Sequence, residues 1–160
     1  MIYHQGSTDT RFIQLIGEKI IRLFDPATCH PSPIMLARYW EVGKILVGPR
    51  RWKNPAHNST RGPIVSLPAL SGLLQYEYQL PGNWSARNLR HMHEFALAWP
   101  DYYRRENILS FLSWQHHKVL LKKIEDPHAR LLWVHRCIVN KWSSRELASH
   151  LDSSLHFPRP

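Results

Sequence analysis

Arginine, asparagine and histidine side chains cluster where one predicted helix begins, and this combination could bind nucleic acid. The segment Trp84–Leu89 reads Trp-Ser-Ala-Arg-Asn-Leu, and Arg90 and His91 follow it. Guanidinium groups bind phosphates and guanine edges, and an amide can pair with adenine. The pattern recurs at Trp142–Leu147 as Trp-Ser-Ser-Arg-Glu-Leu. The repeat predicts two helix-turn-helix-like units, a motif whose second helix commonly contacts DNA.

The tryptophan, serine and leucine of each copy have a structural explanation. A serine at a helix start accepts a hydrogen bond from a free backbone N–H, so Ser85 and Ser143 are predicted N-caps. Ser143 and Glu146 can form a reciprocal capping box, a role for which Asn88 in the first copy is less suited. The tryptophan before each cap can pack on the first turn, and the leucine points into the core. These shared residues are therefore expected to serve the architecture.

The outward face of the first copy is the more basic of the two. Opposite the apolar positions that continue from Leu89, this face carries Arg87, Arg90, His91 and Glu94. The corresponding face of the second copy has a single cation, Arg145. We therefore predict that the first copy contacts nucleic acid and that the second is a support or a partner contact. A salt bridge from Arg87 to a neighbouring helix is the structural alternative.

A loop predicted at residues 48–63 holds a second group of cations. It is rich in Gly, Pro, Asn and Ser, which favour turns and irregular backbone. It is predicted to be either a solvated connector or a basic arm that touches phosphates. With this loop, the predicted nucleic-acid-binding residues are Ser85, Arg87, Asn88, Arg90, His91, Arg145, Arg50, Arg51 and Lys53.

Catalytic chemistry is not predicted for this chain. A PD-(D/E)XK nuclease site needs an acid with Lys two residues later on a strand, and no Asp or Glu here has such a Lys. His91 and His93 are two apart on a predicted helix, so they point about 200° from each other. We expect no metal site, no cofactor and no catalytic residue. The chain is not expected to be an enzyme unless a partner supplies the acids.

The charge favours a polyanionic partner. The 160 residues carry a formal net charge of +9, which suits DNA, RNA or an acidic membrane face. A basic surface without a dedicated ligand is the alternative. Cys29 and Cys137 are too few for a disulfide scaffold. With no signal peptide and no apolar run as long as a membrane helix, a cytoplasmic protein is expected.

Apolar residues at helical spacing predict an all-α fold of about six helices. Pro68 suits the first turn of one helix, and Asp126 and Pro127 suit the N-cap and first position of another. One continuous helix is predicted over about 108–124, after a polar stretch at 102–107. The predicted organisation is an N-terminal helix and linker at 1–33, a helical domain at 34–155 and a tail at 156–160. The two helix-turn-helix-like units are placed at about 64–99 and 126–155.

The order and spacing of several motifs resemble a known family. Within Gly82–Leu151 stand Ser-Ala-Arg-Asn-Leu-Arg-His-Met-His-Glu-Phe, Leu-Ser-Trp-Gln-His-His, Glu-Asp-Pro-His-Ala-Arg and Lys-Trp-Ser-Ser-Arg-Glu-Leu. With Tyr39–Gly43 upstream, this stretch is similar to the N-terminal domain of YhcG-type PD-(D/E)XK nuclease proteins. The resemblance implies an all-helical accessory domain, usually joined to a C-terminal nuclease domain, with a role in DNA targeting or assembly. Such proteins occur in bacteria and on mobile elements.

The chain departs from the family pattern at three points. The Pro-rich stretch 48–68 stands where the family has a longer central helix with a Tyr-Gly start. His93 stands at a position where the family is expected to have a bulkier or different side chain. The nuclease half is missing from this sequence, so nuclease activity is not carried over. A truncated chain, a standalone domain or a subunit that works beside a separate nuclease would all fit.

Two hypotheses about function follow. The first is a helical module that binds DNA, expected to be double-stranded, and targets a nuclease or mobile-element machinery. The second is a module for protein interaction or oligomerisation, because seven Trp and faces such as Leu109, Phe111, Leu112 and Trp114 could pack against a second chain. A homodimer would also suit palindromic DNA, so the two hypotheses are compatible.

Overall fold

The fold is all-helical in the residues that the structure describes. The computed structural model describes residues 5–24, 35–47 and 66–155, so the predictions for Arg50, Arg51 and Lys53 lie outside it. These residues form eight α-helices and one π-helical turn, which confirms the all-α prediction and exceeds the predicted number of about six. The helices are α1 (Gln5–Arg22), α2 (Met35–Val47), α3 (Leu67–Gly72), α4 (Ala86–Ala98), α5 (Tyr102–Leu109), α6 (Trp114–Lys123), α7 (Pro127–Asn140) and α8 (Ser144–Leu155), and the π-helical turn covers Leu73–Glu77.

Two helices begin as their sequences predict. The carboxylate of Asp126 accepts from the backbone N–H of Ala129 at 2.6 Å, and Pro127 is the first residue of α7. Proline costs nothing at that position because the N–H it lacks would have no partner in the helix. Pro68 lies in the first turn of α3 behind the N-cap Ser66. Local capping therefore fixes both helix starts.

The segment 102–124 differs from its prediction. The polar stretch 102–107, expected to lie before the predicted helix, belongs to α5, and the continuous helix predicted over about 108–124 is divided between α5 and α6. An ion pair between Arg105 Nε and Asp101 Oδ2 at 3.0 Å supports the first turn of α5, and Tyr102 is fully buried. Ser113 begins the second helix, because its backbone N–H donates to His116 Nδ1 at 3.3 Å.

The described residues up to Leu97 form one compact unit. In it α1 packs against α2, α3 and the π-helical turn. Gly17 of α1 allows this approach, since a Cβ at this position would lie 3.0 Å from the ring of Tyr78 and still closer to Leu73. The core of the unit is apolar and includes Ile20, Leu46, Leu70, Leu74, Leu89 and Phe95.

The described residues from Ala98 onward form a second compact unit. There α6 packs on both α7 and α8, and α5 packs on α7. Leu109, Leu120, Val134 and Leu147 are fully buried. A hydrogen bond from His116 Nε2 to the carbonyl oxygen of Trp142, at 2.8 Å, and an ion pair between Lys123 and Asp152 tie α6 to the start and end of α8. No helix in the described parts of either unit is long and apolar enough to span a membrane.

Candidate nucleic-acid interface

The first copy of the motif is anchored by a buried tryptophan. Trp84 is 2% exposed, and its indole N–H donates to the carbonyl oxygen of Pro81 at 3.2 Å. The ring of Phe24 meets it edge-on, with 5.1 Å between the ring centroids. Because this tryptophan packs just before the helix, it fixes where α4 begins.

A network of side chains caps the start of α4. Ser85 Oγ accepts from the backbone N–H of Asn88 at 3.3 Å, which confirms Ser85 as the N-cap. The reciprocal bond differs from a capping box, because the backbone N–H of Ser85 donates to Asn83 Oδ1 at 3.2 Å. The amide of Asn88 instead donates to the carbonyl oxygen of Asn83 at 2.7 Å.

This network corrects the predicted role of Asn88. The side chain is 4% exposed and lies inside the protein rather than on the outward face. An adenine contact would have to draw this buried amide out of the protein and break its bond to the carbonyl oxygen of Asn83, which is costly. Asn88 and Ser85 therefore hold α4 in place.

The inner face of α4 is packed tightly against α2. Leu89, Met92 and Phe95 are fully buried, as predicted from their spacing. At Gly43 the two helices approach so closely that a Cβ there would lie 2.8 Å from Ala96 Cβ and closer still to the carbonyl oxygen of Met92. The approach leaves α4 little freedom to move, so its opposite face has a fixed direction.

The outer face of α4 presents two arginines. Arg87 and Arg90 are exposed and three residues apart, so they lie on one side of the helix. Neither guanidinium has a hydrogen bond or ion pair within the described residues, and the predicted alternative of a salt bridge from Arg87 is not seen there. His91 lies 3.2 Å from Glu94, measured from Nδ1 to Oε2, so the acid offsets any charge on this imidazole. Glu94 lies one turn from Arg90 on the same face but pairs with His91, so the two arginines are the cations of this face without an ion pair among the described residues.

The second copy of the motif forms the predicted capping box. The backbone N–H of Ser143 donates to Glu146 Oε2 at 2.7 Å, and the N–H of Glu146 donates to Ser143 Oγ at 3.3 Å. Hydrogen bonds that the carboxyl of Glu146 accepts from the backbone and side chain of Ser143 lower its pKa. Arg145 is exposed on the first turn of α8.

The turns that lead into the two copies differ. Gln79 (φ 50°) and Lys141 (φ 54°) both follow a helix in the left-handed conformation. In the first copy residues 80–83 then separate Gln79 from Trp84, whereas Trp142 follows Lys141 directly. The shared sequence thus starts two helices that are entered by different connections. The tandem helix-turn-helix arrangement remains a prediction.

Comparison with known families agrees with the motifs of α2 to α8. The model of the DUF1016 N-terminal domain matches residues 32–157. The chain belongs to this family. The match is consistent with the resemblance to the N-terminal domain of YhcG-like proteins. No curated protein and no solved structure gives a significant match.

Two histidines of this family member, His93 and His117, are shielded from solvent, and burial favours their neutral form. Burial lowers the pKa of His93, and Glu94 offsets part of that shift. Burial also lowers the pKa of His117 to about 4, and His117 Nε2 donates to the carbonyl oxygen of Leu109 at 3.1 Å. Within the described residues no three His, Cys, Asp or Glu side chains are grouped as a metal site would require.

Sequence reasoning missed a group of side chains on the second unit of this family domain. Arg136 lies over the ring of Trp133, with its Cζ 5.0 Å from the ring centroid, and Trp142 stacks on His150. Trp133 and Arg136 are three residues apart on α7, a spacing that would have suggested their contact. The contact that joins the two pairs, between Trp133 of α7 and Trp142 in the turn before α8, cannot be predicted from the sequence of either helix alone.

The apolar face predicted for oligomerisation is partly internal. Leu109 and Leu112 are buried, at 0% and 6% exposure, and are unavailable to a second chain. Phe111 is 74% exposed, because it lies in the short link between α5 and α6. Leu132 and Val139, on the outer side of α7, are also exposed.

Proposed function

We propose that this DUF1016 N-terminal domain is a non-catalytic helical module that binds double-stranded DNA through the outer face of α4. The observation that carries the proposal is the pair Arg87 and Arg90, exposed on adjacent turns and without an acid partner in the described residues. Guanidinium groups at this spacing suit phosphate oxygens and guanine edges.

The packing of α4 supports this role. The Trp84 anchor, the Asn88–Asn83 bond and the close approach at Gly43 all hold the helix from its inner side. A helix fixed in this way loses little conformational entropy when its outer side chains bind a ligand. The net charge of +9 adds a long-range attraction to a polyanion.

The decisive experiment compares two double variants that remove equal charge from the same unit. Arg87→Ala/Arg90→Ala removes the proposed contacts, and Arg11→Ala/Lys19→Ala removes two exposed cations of α1. Fluorescence anisotropy with a labelled duplex would measure Kd over a series of KCl concentrations. We expect the α4 variant to weaken binding about tenfold or more, because each good arginine contact is worth about 1–3 kcal/mol.

The control variant should keep most of the wild-type affinity. Wild-type affinity should fall steeply with salt, because binding to phosphates releases counterions. Equal losses in the two variants would show that net charge, rather than the α4 face, is responsible. Wild-type affinity that does not respond to salt would contradict the proposal altogether.

The non-catalytic part of the proposal rests on the absence from this sequence of the acid and lysine, two residues apart, that a PD-(D/E)XK nuclease site needs. It predicts that a separate protein supplies the nuclease activity. The resemblance of Gly82–Leu151 to the helical domain of nuclease proteins supports a targeting role beside such an enzyme. We expect the purified chain to leave supercoiled plasmid intact in the presence of Mg²⁺ or Mn²⁺. Nicking that copurifies with the chain through successive columns would contradict this expectation.

A second candidate function, protein interaction or oligomerisation, is favoured by the exposed Phe111, Leu132 and Val139. Exposed bulky apolar side chains are typical of interaction surfaces when they are contiguous. Light scattering with and without a duplex separates the two functions. A stable oligomer that is indifferent to DNA would favour this second candidate, and a monomer or dimer that binds the duplex would favour the first.

A further inference from the structure

A row of neighbouring rings, two of them stacked, lies at the surface of the second unit. The ring centroids of Trp142 and His150 are 4.0 Å apart with 24° between their planes, and those of Trp142 and Trp133 are 6.2 Å apart. Arg136 continues the row, with its guanidinium carbon 5.0 Å from the centroid of Trp133. We call Trp133, Trp142 and His150 the aromatic row. It joins α7 to α8 by contacts between side chains.

The aromatic row is both accessible and held in place. Trp133 and Trp142 are half-buried, whereas Arg136 and His150 are exposed. The backbone of Trp142 is fixed by the hydrogen bond that its carbonyl oxygen accepts from His116. A guanidinium that lies on an indole gives up side-chain freedom before any ligand arrives, so less is lost on binding.

The cations around the row, Arg136, Lys141 and Arg145, have no ion pair among the described residues. Lys141 and Arg145 lie on either side of Trp142 in sequence, and both are exposed. Of the acids of α8, Asp152 pairs with Lys123, whereas Glu146 caps the helix through Ser143 and also interacts with His150 of the row. Three exposed cations thus accompany one exposed acid, Glu146, at the edge of the row, and the balance there is positive.

We propose that Arg136, Lys141 and Arg145 form a second nucleic-acid contact, which binds the phosphate backbone of a duplex without regard to base sequence. The aromatic row holds Arg136 over Trp133, and Lys141 and Arg145 flank Trp142 in sequence. His150 stacks on Trp142 and the guanidinium of Arg136 lies over Trp133, so one face of each indole is already occupied, which disfavours base stacking and insertion into a lipid interface. Phosphate contacts of this kind add affinity and position the protein, while base edges supply specificity.

This inference rests on the proposed function for its ligand, a DNA duplex, but uses different residues. Its test is the triple variant Arg136→Gln/Lys141→Gln/Arg145→Gln in the full chain. The control, Arg104→Gln/Lys118→Gln/Lys122→Gln, removes three cations of the same unit from α5 and α6. Duplex affinity is measured by anisotropy over a KCl series with two unrelated sequences.

We expect the triple variant to reduce the steepness of log Kd against log [KCl] by about 2 to 3, since each phosphate contact contributes about 0.9. The reduction should be the same for both duplexes, and the control should keep the wild-type slope. An equal reduction in the control, or none in the triple variant, would overturn the proposal. If circular dichroism shows that the triple variant is unfolded, Lys141→Gln/Arg145→Gln keeps the Arg136–Trp133 contact and should lower the slope by about 2.

Hydrogen–deuterium exchange of the full chain with and without the duplex separates this inference from the proposed function. Protection at residues 136–146 supports the second contact, and protection at 85–91 supports the α4 face. Protection confined to 85–91 overturns the inference alone, and protection confined to 136–146 overturns the α4 assignment alone. Binding to vesicles of phosphatidylserine and phosphatidylcholine that needs the three cations, without protection by the duplex, would assign the surface to lipid and overturn the inference.

Discussion

Asn88 lies between two arginines in sequence, yet it faces the opposite way. Its amide donates to the carbonyl oxygen of Asn83, whereas Arg87 and Arg90 extend into solvent. Neighbouring residues of one helix turn therefore have different roles: Asn88 holds the helix in place, and Arg87 and Arg90 are the proposed DNA contacts. The effects of single substitutions should separate accordingly.

The pair Asn88→Ala and Arg87→Ala tests this separation. Asn88→Ala removes a buried donor and should lower the free energy of unfolding by about 1–3 kcal/mol, while the folded protein keeps its duplex affinity. Arg87→Ala should change stability by less than about 0.5 kcal/mol and weaken binding. Urea denaturation and anisotropy on the same preparations measure both quantities. Loss of affinity in folded Asn88→Ala that matches Arg87→Ala would contradict the assignment.

His117 predicts an acid-sensitive second unit. Because burial lowers its pKa to about 4 in the folded chain, from about 6.5 when unfolded, the unfolded state takes up the proton first. The stabilisation is complete above about pH 6.5 and is lost as the pH falls towards about 4, by up to about 3 kcal/mol. Urea denaturation across this range measures it.

The variant His117→Gln is the control for that titration. Its amide can still donate to the carbonyl oxygen of Leu109 but takes up no proton in this range. Its stability should therefore depend less steeply on pH between about 6.5 and 4 than that of the wild type. Parallel pH profiles would show that other groups dominate the acid response.

At the residue scale, local contacts could be predicted from the sequence and longer ones could not. The Ser143–Glu146 capping box involves residues three apart on one helix, and the prediction is confirmed. The inward direction of Asn88 depends on its bond to Asn83, which in turn depends on the turn that contains Gln79 and Gly82 at positive φ. No periodicity within α4 contains that information.

At the scale of elements, replacing a helical glycine by alanine should have opposite effects on stability at two positions. Glycine costs a helix interior about 1 kcal/mol relative to alanine. Gly43→Ala should nevertheless destabilise the protein by about 2 kcal/mol or more, because the new methyl group would overlap the backbone of α4 at Met92. Gly72→Ala has open space around it and should stabilise by up to about 1 kcal/mol.

Thermal or urea denaturation of the two glycine variants checks this prediction. Gly43→Ala should also weaken duplex binding in the fraction that stays folded, because α4 must shift to make room. A neutral effect of Gly43→Ala on both stability and binding would show that α2 and α4 can separate without consequence.

The division between α5 and α6 is a helix break that the spacing of apolar residues does not predict. Apolar residues continue through Ile108–Leu112, so their pattern gives no reason to end a helix. The break depends on Ser113, which pairs with His116 rather than with the usual Glu or Gln of a capping box. Histidine in that role is the signal that would have located the start of α6.

At the scale of the whole molecule, composition and pattern give the class of fold and the sign of its charge. They do not show on which surfaces of the fold the charged side chains lie. The aromatic row draws Trp133 and Arg136 from one helix, and Trp142 and His150 from the next turn and helix. The compact unit that includes α1 likewise extends beyond the start of the family match at residue 32, because α1 packs on α2 and α3.

Lys141 is a cation at a position where glycine would make the folded protein more stable. Its φ of 54° is a conformation that glycine adopts with far less strain, and glycine is the usual residue where a helix ends this way. Lys141→Gly should therefore raise the free energy of unfolding by about 1 kcal/mol and weaken duplex binding. Gln79→Gly, at the matching turn of the first unit, should gain similar stability at no loss of affinity. A selection for thermostability alone would then favour glycine at both turns, and a selection that also requires DNA binding would keep the lysine.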